Sequence, residues 1–232
     1  MKKFLVIGNP IDHSLSPKLH NYWIKENNIS AIYDKKKLNE NDIKDIILEI
    51  KKEEINGINV TVPFKKTVIQ FLDQLSPAAK ESQSVNTIFK KDNKIIGDNT
   101  DIYGFEQALK HINYNVINKK VFILGAGGVV PSIIIALKRL GVKKIALSNR
   151  TKEKAENLKK IHFDLEVVTW GENTDFDMIV NATSLGLKSQ DKIKLDFSNM
   201  KANKFFYDVI YNPNKTNFLL EGEKLGNKIE NG

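Results

Sequence analysis

One stretch constrains this chain more than any other. The apolar run Val121-Phe122-Ile123-Leu124 ends abruptly in Gly125-Ala126-Gly127-Gly128. Val129, Val130, Pro131 and Ser132 then open a helical pattern whose apolar residues are Ile133, Ile134, Ala136, Leu137 and Leu140, closed by Gly141. A second apolar run, Ile145 to Leu147, ends in Ser148-Asn149-Arg150. Strand, glycine turn, helix and strand in that order predict a βαβ unit with parallel strands. Glycines at such a turn let backbone N–H groups approach a pyrophosphate, whose charge is favoured at the positive end of the following helix. A glycine pair is also what an ordinary turn needs, so the flanking strand and helix carry the reading.

Two details refine this Rossmann-type expectation. Val130 stands at the third fingerprint position, where glycine or alanine gives the closest packing of helix on strand. The second strand ends in Asn149-Arg150, where a carboxylate for a ribose 2′-hydroxyl is the usual residue. A carboxylate repels a 2′-phosphate, whereas a guanidinium pairs with it in bidentate fashion. Arg150 is one of only two arginines in a lysine-rich chain, so the reading is NADP rather than NAD. The bland alternative is a solvated basic residue at a helix start.

The chain has 232 residues, room for one large or two small domains, and 41% hydrophobic with 28% charged residues describe a globular protein. Cysteine is absent, which excludes a disulfide framework and thiolate metal sites. His13, His20, His111 and His162 match no metal-ligand spacing. The N-terminal apolar run is too short for a signal peptide, and no run approaches membrane-spanning length, so a cytoplasmic location is expected. The net charge of +8 raises the question of nucleic acid, but the lysines are dispersed and no basic stripe is interleaved with aromatics. An anionic cofactor and substrate fit that positive potential.

From the start, Lys3 to Ile7 reads as a strand, and Ser16 followed by Pro17 as a helix start, with Ser16 the N-cap. Ile32 to Leu38 is a second strand. Asn39 opens a helix whose Ile43, Ile46, Ile47 and Ile50 form an apolar stripe, a core feature and not a site. Asn56 to Val62 is a third strand. Val85 to Lys91 and Lys94 to Gly97 form a hairpin around Asp92-Asn93, and Asn99-Thr100-Asp101 caps the helix leading onward. The expected organisation is α/β in two domains, residues 1–101 for substrate and catalysis and 102–232 for the dinucleotide. Polar clusters at 14–17, 59–65, 85–87 and 99–101 all fall beyond strands or at helix starts, the edge where open α/β sheets bind ligands. Their hydroxyls, amides, one ammonium and one carboxylate suit a small polyhydroxylated acid.

These clusters resemble a known family, the shikimate dehydrogenases. The matching stretches are SLSP at Ser14 to Pro17, NVTVPFK at Asn59 to Lys65, VNT at Val85 to Thr87 and NTD at Asn99 to Asp101. In the second half they are GAGG at Gly125 to Gly128, NRT at Asn149 to Thr151, NATSLG at Asn181 to Gly186 and YNP at Tyr211 to Pro213. Eight motifs in register across the chain make the resemblance specific. It implies reversible, NADP-dependent reduction of 3-dehydroshikimate to shikimate in aromatic amino-acid biosynthesis, by a monomer or homodimer.

The resemblance places the substrate carboxylate on Ser14 and Ser16 with Tyr211 contributing, and ring hydroxyls on Asn59, Thr61, Asn86 and Asp101. It makes Lys65 the catalytic group, with Asp101 orienting it. The chemistry agrees: hydride addition to a ketone leaves a developing alkoxide that needs an adjacent proton donor. Gly125, Ala126, Gly127, Gly128, Val129, Asn149, Arg150, Thr151 and Lys154 are expected to hold the dinucleotide, and Thr183, Val209 and Gly232 to line its nicotinamide end. Read without the family, Lys65 is a surface lysine, Ser14 and Ser16 are turn and cap residues, Asp101 is a helix N-cap and Tyr211 packs in a core. The sequence departs from the pattern at Val130, at Ser84 where alanine is usual, and at its end. It stops at Glu230-Asn231-Gly232, where the family continues through a segment with a substrate-binding glutamine, so a fragment or a truncated form is expected. Two rival functions follow: a quinate/shikimate dehydrogenase that accepts NAD, and a silent homologue that binds without turnover.

Overall fold

The computed structural model describes residues 1–197 and 202–232, and the chain divides into two compact units, Met1–Ile102 and Tyr103–Gly232. The first unit begins with β1 (Lys2–Gly8), α1 (Ser16–Glu26), β2 (Ala31–Lys37), α2 (Ile43–Lys51) and β3 (Gly57–Val60). It continues through β4 (Gln74–Leu75), α3 (Pro77–Ser82), β5 (Thr87–Lys91) and β6 (Lys94–Asp98), and α4 (Asp101–His111) leads out of it. Its six strands lie in the order β2-β1-β3-β5-β6-β4. β1 runs parallel to β2 and β3, while β5 runs antiparallel to both β3 and β6. The carboxyl ends of β1, β3 and β6 and the start of β5 therefore meet at one edge of the sheet.

Local chemistry explains the elements. Ile43, Ile46, Ile47 and Ile50 of α2 are all buried and pack with Ile58, Val60, Ile88 and Ile95 of the sheet. Burying each such side chain is worth roughly 1.5–3 kcal/mol, which favours this face inward. Asn39 and Asp42 form a capping box on the short turn that precedes α2. Asp92 and Asn93 take φ of 50° and 58°, the left-handed pair that joins β5 to β6 in a two-residue hairpin.

The second unit contains β7 (Lys120–Leu124), α5 (Val130–Arg139), β8 (Lys144–Ser148), α6 (Lys152–Ile161) and β9 (Glu166–Val168). β10 (Met178–Asn181), β11 (Phe205–Asp208), α7 (Asn217–Lys224) and β12 (Lys228–Asn231) complete it. All paired strands are parallel, in the order β12-β11-β10-β7-β8-β9, the doubly wound arrangement of dinucleotide-binding sheets. Parallel strands covered on both faces read as continuous apolar runs, as β7 and β10 do. Aromatic side chains fill the core beneath them: Phe122, Phe176, Phe197, Phe206 and Phe218.

The expected elements are present, with two local differences. The third strand ends at Val60 rather than Val62, and Val85 and Asn86 precede β5 instead of belonging to it. The N–H of Val60 still donates to Asn86 O, in register with the ladder, whereas the N–H of Val85 donates to Lys65 O and ties Val85 to the loop after β3.

Candidate active site

The polar residues of the first unit gather where its strands end. The N–H of Thr61 donates to Ile7 O and the N–H of Asn9 to Val62 O, which stitches the loop after β1 to the loop after β3. Gly8 is required at that seam, since a Cβ there would lie 2.6 Å from the Thr61 methyl group. Phe64, 3% exposed, anchors the second loop in the core. Lys65 follows and is itself 9% exposed.

The Lys65 ammonium donates to Asp101 Oδ2 at 2.6 Å. Asp101 Oδ1 accepts from Asn86 Nδ2 at 2.8 Å, so each carboxylate oxygen has its own donor. The plain alternative for Asp101, a helix N-cap, is not what the structure has. Asn99 Oδ1 accepts from the N–H of Asp101 at 3.0 Å and of Ile102 at 3.3 Å, which caps α4 and leaves the Asp101 side chain to Lys65. Asn99 is in turn held by Nδ2 donating to Ser84 O and Ser82 Oγ. Sequence reasoning recognised the Asn99-Thr100-Asp101 motif without separating these roles, because each of the three side chains is able to cap.

Asn86 uses its whole side chain. Its Oδ1 accepts from the N–H of Thr100 and from Thr87 Oγ1, and its Nδ2 donates to Thr100 Oγ1 and Asp101 Oδ1. An amide has two donors and two acceptor positions, so a ligand hydroxyl reaching Asn86 must displace one of these partners. Asn59 is half-buried, with Nδ2 donating to Asn86 O at 3.3 Å and Thr87 Oγ1 at 3.1 Å. Thr61 is half-buried at the seam.

Ser14, in the loop after β1, and Ser16, the first residue of α1, are half-buried. The expectation that Ser16 caps α1 is corrected. Ser16 is already helical, Leu15 occupies the cap position, and Ser14 Oγ accepts from the N–H of Ser16 at 3.3 Å. The N–H of Leu19 donates to Leu15 O, so the first helical bond starts one residue before Ser16.

In the second unit, Gly125 has φ of +108°, and a Cβ there would lie 2.7 Å from Ala182 O. The turn after β7 thus touches the loop after β10, the switch point of the sheet. Gly127 is different: it is exposed, and a Cβ on it would meet only Ala182 O, at 4.0 Å. Ala126, Gly128 and Val129 are half-buried around it. Val129 is the cap residue of α5 and has no side-chain acceptor for the first-turn N–H groups. A helix start without its own cap, behind a glycine turn open to ligand, fits a dinucleotide pyrophosphate. Asn149, Arg150, Thr151 and Lys154 lie between the end of β8 and the first turn of α6, and Asn149 Nδ2 donates to Thr151 O. Arg150 is exposed and pairs with no carboxylate among the described residues.

The loop after β10 is built on Asn181. Its Oδ1 accepts from Thr183 Oγ1 at 2.7 Å and from the N–H of Thr183, while its Nδ2 donates to Leu185 O and to both oxygens of Asp208. Asp208 is fully buried, also accepts from Thr216 Oγ1 and the N–H of Ile210, and burial pushes its carboxyl above the usual range. Sequence reasoning assigned no role to Asp208; an acid closing the apolar run of β11 was the available signal. Val209 is half-buried beyond it, and a Cβ on Gly232 would lie 2.7 Å from Val209 O, so these two predicted residues adjoin. Tyr211 belongs to this second unit and is 45% exposed, not a core residue.

Residues 6–88 match the shikimate dehydrogenase substrate binding domain, and residues 106–201 match the shikimate/quinate 5-dehydrogenase family. The chain is 60% identical over 231 residues to the shikimate dehydrogenase (NADP(+)) of Pelagibacter ubique, covering 100% of this chain and 87% of that protein. The crystal structure of shikimate dehydrogenase from Aquifex aeolicus superposes with a TM-score of 0.91 at 37% identity, covering 100% of this chain and 86% of that one. The Thermus thermophilus shikimate 5-dehydrogenase, solved with NADP(H) and shikimate, gives a TM-score of 0.89 at 29% identity over 99% of this chain and 87% of its own. Both family matches and this identity have one reading: the chain belongs to the shikimate dehydrogenase family.

Proposed function

We infer that this chain catalyses the reversible, NADP-dependent reduction of 3-dehydroshikimate to shikimate, a step of aromatic amino-acid biosynthesis. The observation that carries the reading is the Lys65–Asp101 pair at 2.6 Å, with a lysine only 9% exposed at the ligand edge of the first sheet. A silent homologue has no need of a partly buried ammonium oriented by a carboxylate. No helix among the described residues is long and apolar enough to cross a membrane. A cytoplasmic monomer or homodimer acting on a small anionic substrate fits the basic balance of the chain.

NADPH, when bound, supplies the hydride that adds to the ketone carbon. The chain's part is to bind, orient and deliver the proton. Lys65 carries three N–H donors, of which Asp101 takes one, leaving two for the carbonyl oxygen and a neighbouring ring hydroxyl. As charge develops on that oxygen, Lys65 donates a proton and the alcohol forms; in the reverse direction the neutral amine accepts it. Asp101 holds the ammonium in place and offsets its charge. Ser14, Ser16 and Tyr211 are assigned to the substrate carboxylate, and Asn59, Thr61, Asn86 and Asp101 to ring hydroxyls. Gly125 to Val129 are assigned to the pyrophosphate, and Asn149 to Thr151 with Lys154 to the 2′-phosphorylated ribose. Thr183, Val209 and Gly232 are assigned to the nicotinamide end.

The test is shikimate-dependent formation of NADPH followed by absorbance, with Lys65→Ala as the control. Turnover by the parent and its loss by at least roughly a hundredfold in the variant, with NADP affinity retained, is the expected result. Ligand binding by the parent without turnover would overturn the reading in favour of the silent homologue.

A further inference from the structure

The Asn59 amide has one contact from outside the motifs that define the site. The phenol of Tyr33 on β2 donates to Asn59 Oδ1 at 2.6 Å. Tyr33 is 5% exposed, in a small cluster with Val6 and Ile11. Every part of it is fixed. His20 of α1 stacks on its ring with centroids 4.1 Å apart and planes 3° from parallel. β2 is an edge strand, and Asn21 closes its open side at this residue, donating to Tyr33 O at 2.7 Å and accepting from its N–H at 3.0 Å. Burial pushes the phenol well above its ordinary pKa, so it remains a donor at any working pH.

A donating phenol on one side and a backbone carbonyl on the other fix which way the Asn59 amide faces. The oxygen meets Tyr33, and the NH2 group meets Asn86 O and Thr87 Oγ1. Thr87 in turn gives its own proton to Asn86 Oδ1. Together with the N–H of Thr100, which donates to the same oxygen, this holds the Asn86 NH2 group toward Asp101 Oδ1 and leaves Asp101 Oδ2 for Lys65. Hydrogen bonds of one consistent polarity thus run from a buried tyrosine to Asp101, which accepts from the proposed proton donor on its other oxygen.

We propose that Tyr33 is a positioning residue for the reaction: its hydroxyl orients the Asn59 amide and, through Thr87 and Asn86, the carboxylate that holds Lys65. The inference rests on the functional reading above and adds to it a residue in contact with none of the reacting groups.

Tyr33→Phe keeps the ring, its stack on His20 and the packing, and removes only the donor. Expected in the NADPH assay is a loss of roughly five- to a hundredfold in kcat/KM for shikimate, the range for a buried acceptor left unsatisfied. KM for shikimate should rise and kcat fall, while KM for NADP stays within about twofold, a split that general loosening of the fold does not produce. If Tyr33 works through Asn59, then in an Asn59→Ala background the same change should add less than about twofold. Unchanged kcat/KM in Tyr33→Phe, or losses that multiply in the double variant, would overturn the proposal. Thr87→Val cuts the next link without touching Tyr33. Should Tyr33→Phe melt early, a loss in Thr87→Val with the same split supports the chain of contacts, and unchanged kinetics there refute it. A parent without shikimate-dependent turnover would instead refute the functional reading, and this inference with it.

Discussion

Lys65 and Arg150 are both cations in a lysine-rich chain, and burial separates their roles. Lys65 is 9% exposed and paired with Asp101, whereas Arg150 is exposed at the end of β8. An exposed guanidinium contributes little by itself, but opposite a 2′-phosphate it makes charge-assisted bonds that NAD cannot offer. Arg150→Ala should therefore raise KM for NADP roughly tenfold and leave KM for NAD nearly unchanged, given about 1.5 kcal/mol for a charged hydrogen bond. Equal losses for the two cofactors in parallel assays would remove the 2′-phosphate role. Gly125 answers to a different constraint. Its φ of +108° and the 2.7 Å approach of a Cβ to Ala182 O leave no room for a side chain. Gly125→Ala should cost on the order of 1–3 kcal/mol in urea unfolding and weaken NADP together with stability. An unchanged midpoint would mean that the turn relaxes freely.

Among the elements, β10 and β11 show how a buried acid organises two loops. Asp208 accepts from Asn181, Thr216 and Ile210, so the loops after both strands depend on one carboxylate. Burial raises its pKa above the ordinary 3.8 despite those donors. A raised folded-state value means that the folded chain holds the proton more tightly than the unfolded chain does. This contribution to stability is complete below the unfolded value and is lost as pH rises through the folded one. Parent and Asp208→Asn melts should therefore diverge with pH, the parent losing stability relative to the variant as pH climbs from below 3.8. A stability difference that does not change with pH would show that Asp208 titrates alike in both states. Such an arrangement was not legible in the sequence, where the acid merely ends an apolar strand. The elements themselves were, because α2's isoleucines, the Asp92-Asn93 turn and the run into Gly125 carry their periods locally. The two-residue β4 and three-residue β9 carry no period and escaped, and α3, β10, β11, α7 and β12 were not among the expected elements either. The site was legible as motifs, but its wiring depends on β3 pairing with β5 so that Asn59 faces Thr87, a register set by tertiary structure.

At the scale of the whole chain, each unit has its own sheet and core, and each carries a different share of the motifs. The Lys65–Asp101 ion pair and the amides around it lie within residues 1–102, and the glycine turn, Arg150 and the Asn181 loop lie within 103–232. A ligand stabilises what it binds by mass action, about 2.7 kcal/mol at a hundred times its Kd. Amide exchange should therefore distinguish the two ligands by segment. NADP alone should slow exchange chiefly in residues 125–130 and 182–186, and shikimate alone chiefly in residues 61–65, 85–86 and 99–101, read by mass spectrometry of peptides after timed labelling. Each segment bears the contacts assigned to its ligand, and loops with few buried backbone bonds open by local fluctuation, so binding is felt there first. Protection by shikimate confined to the second unit would move the substrate assignments off Lys65 and Asp101. Protection by NADP confined to the first would do the same for the glycine turn, whatever the assay of turnover had shown.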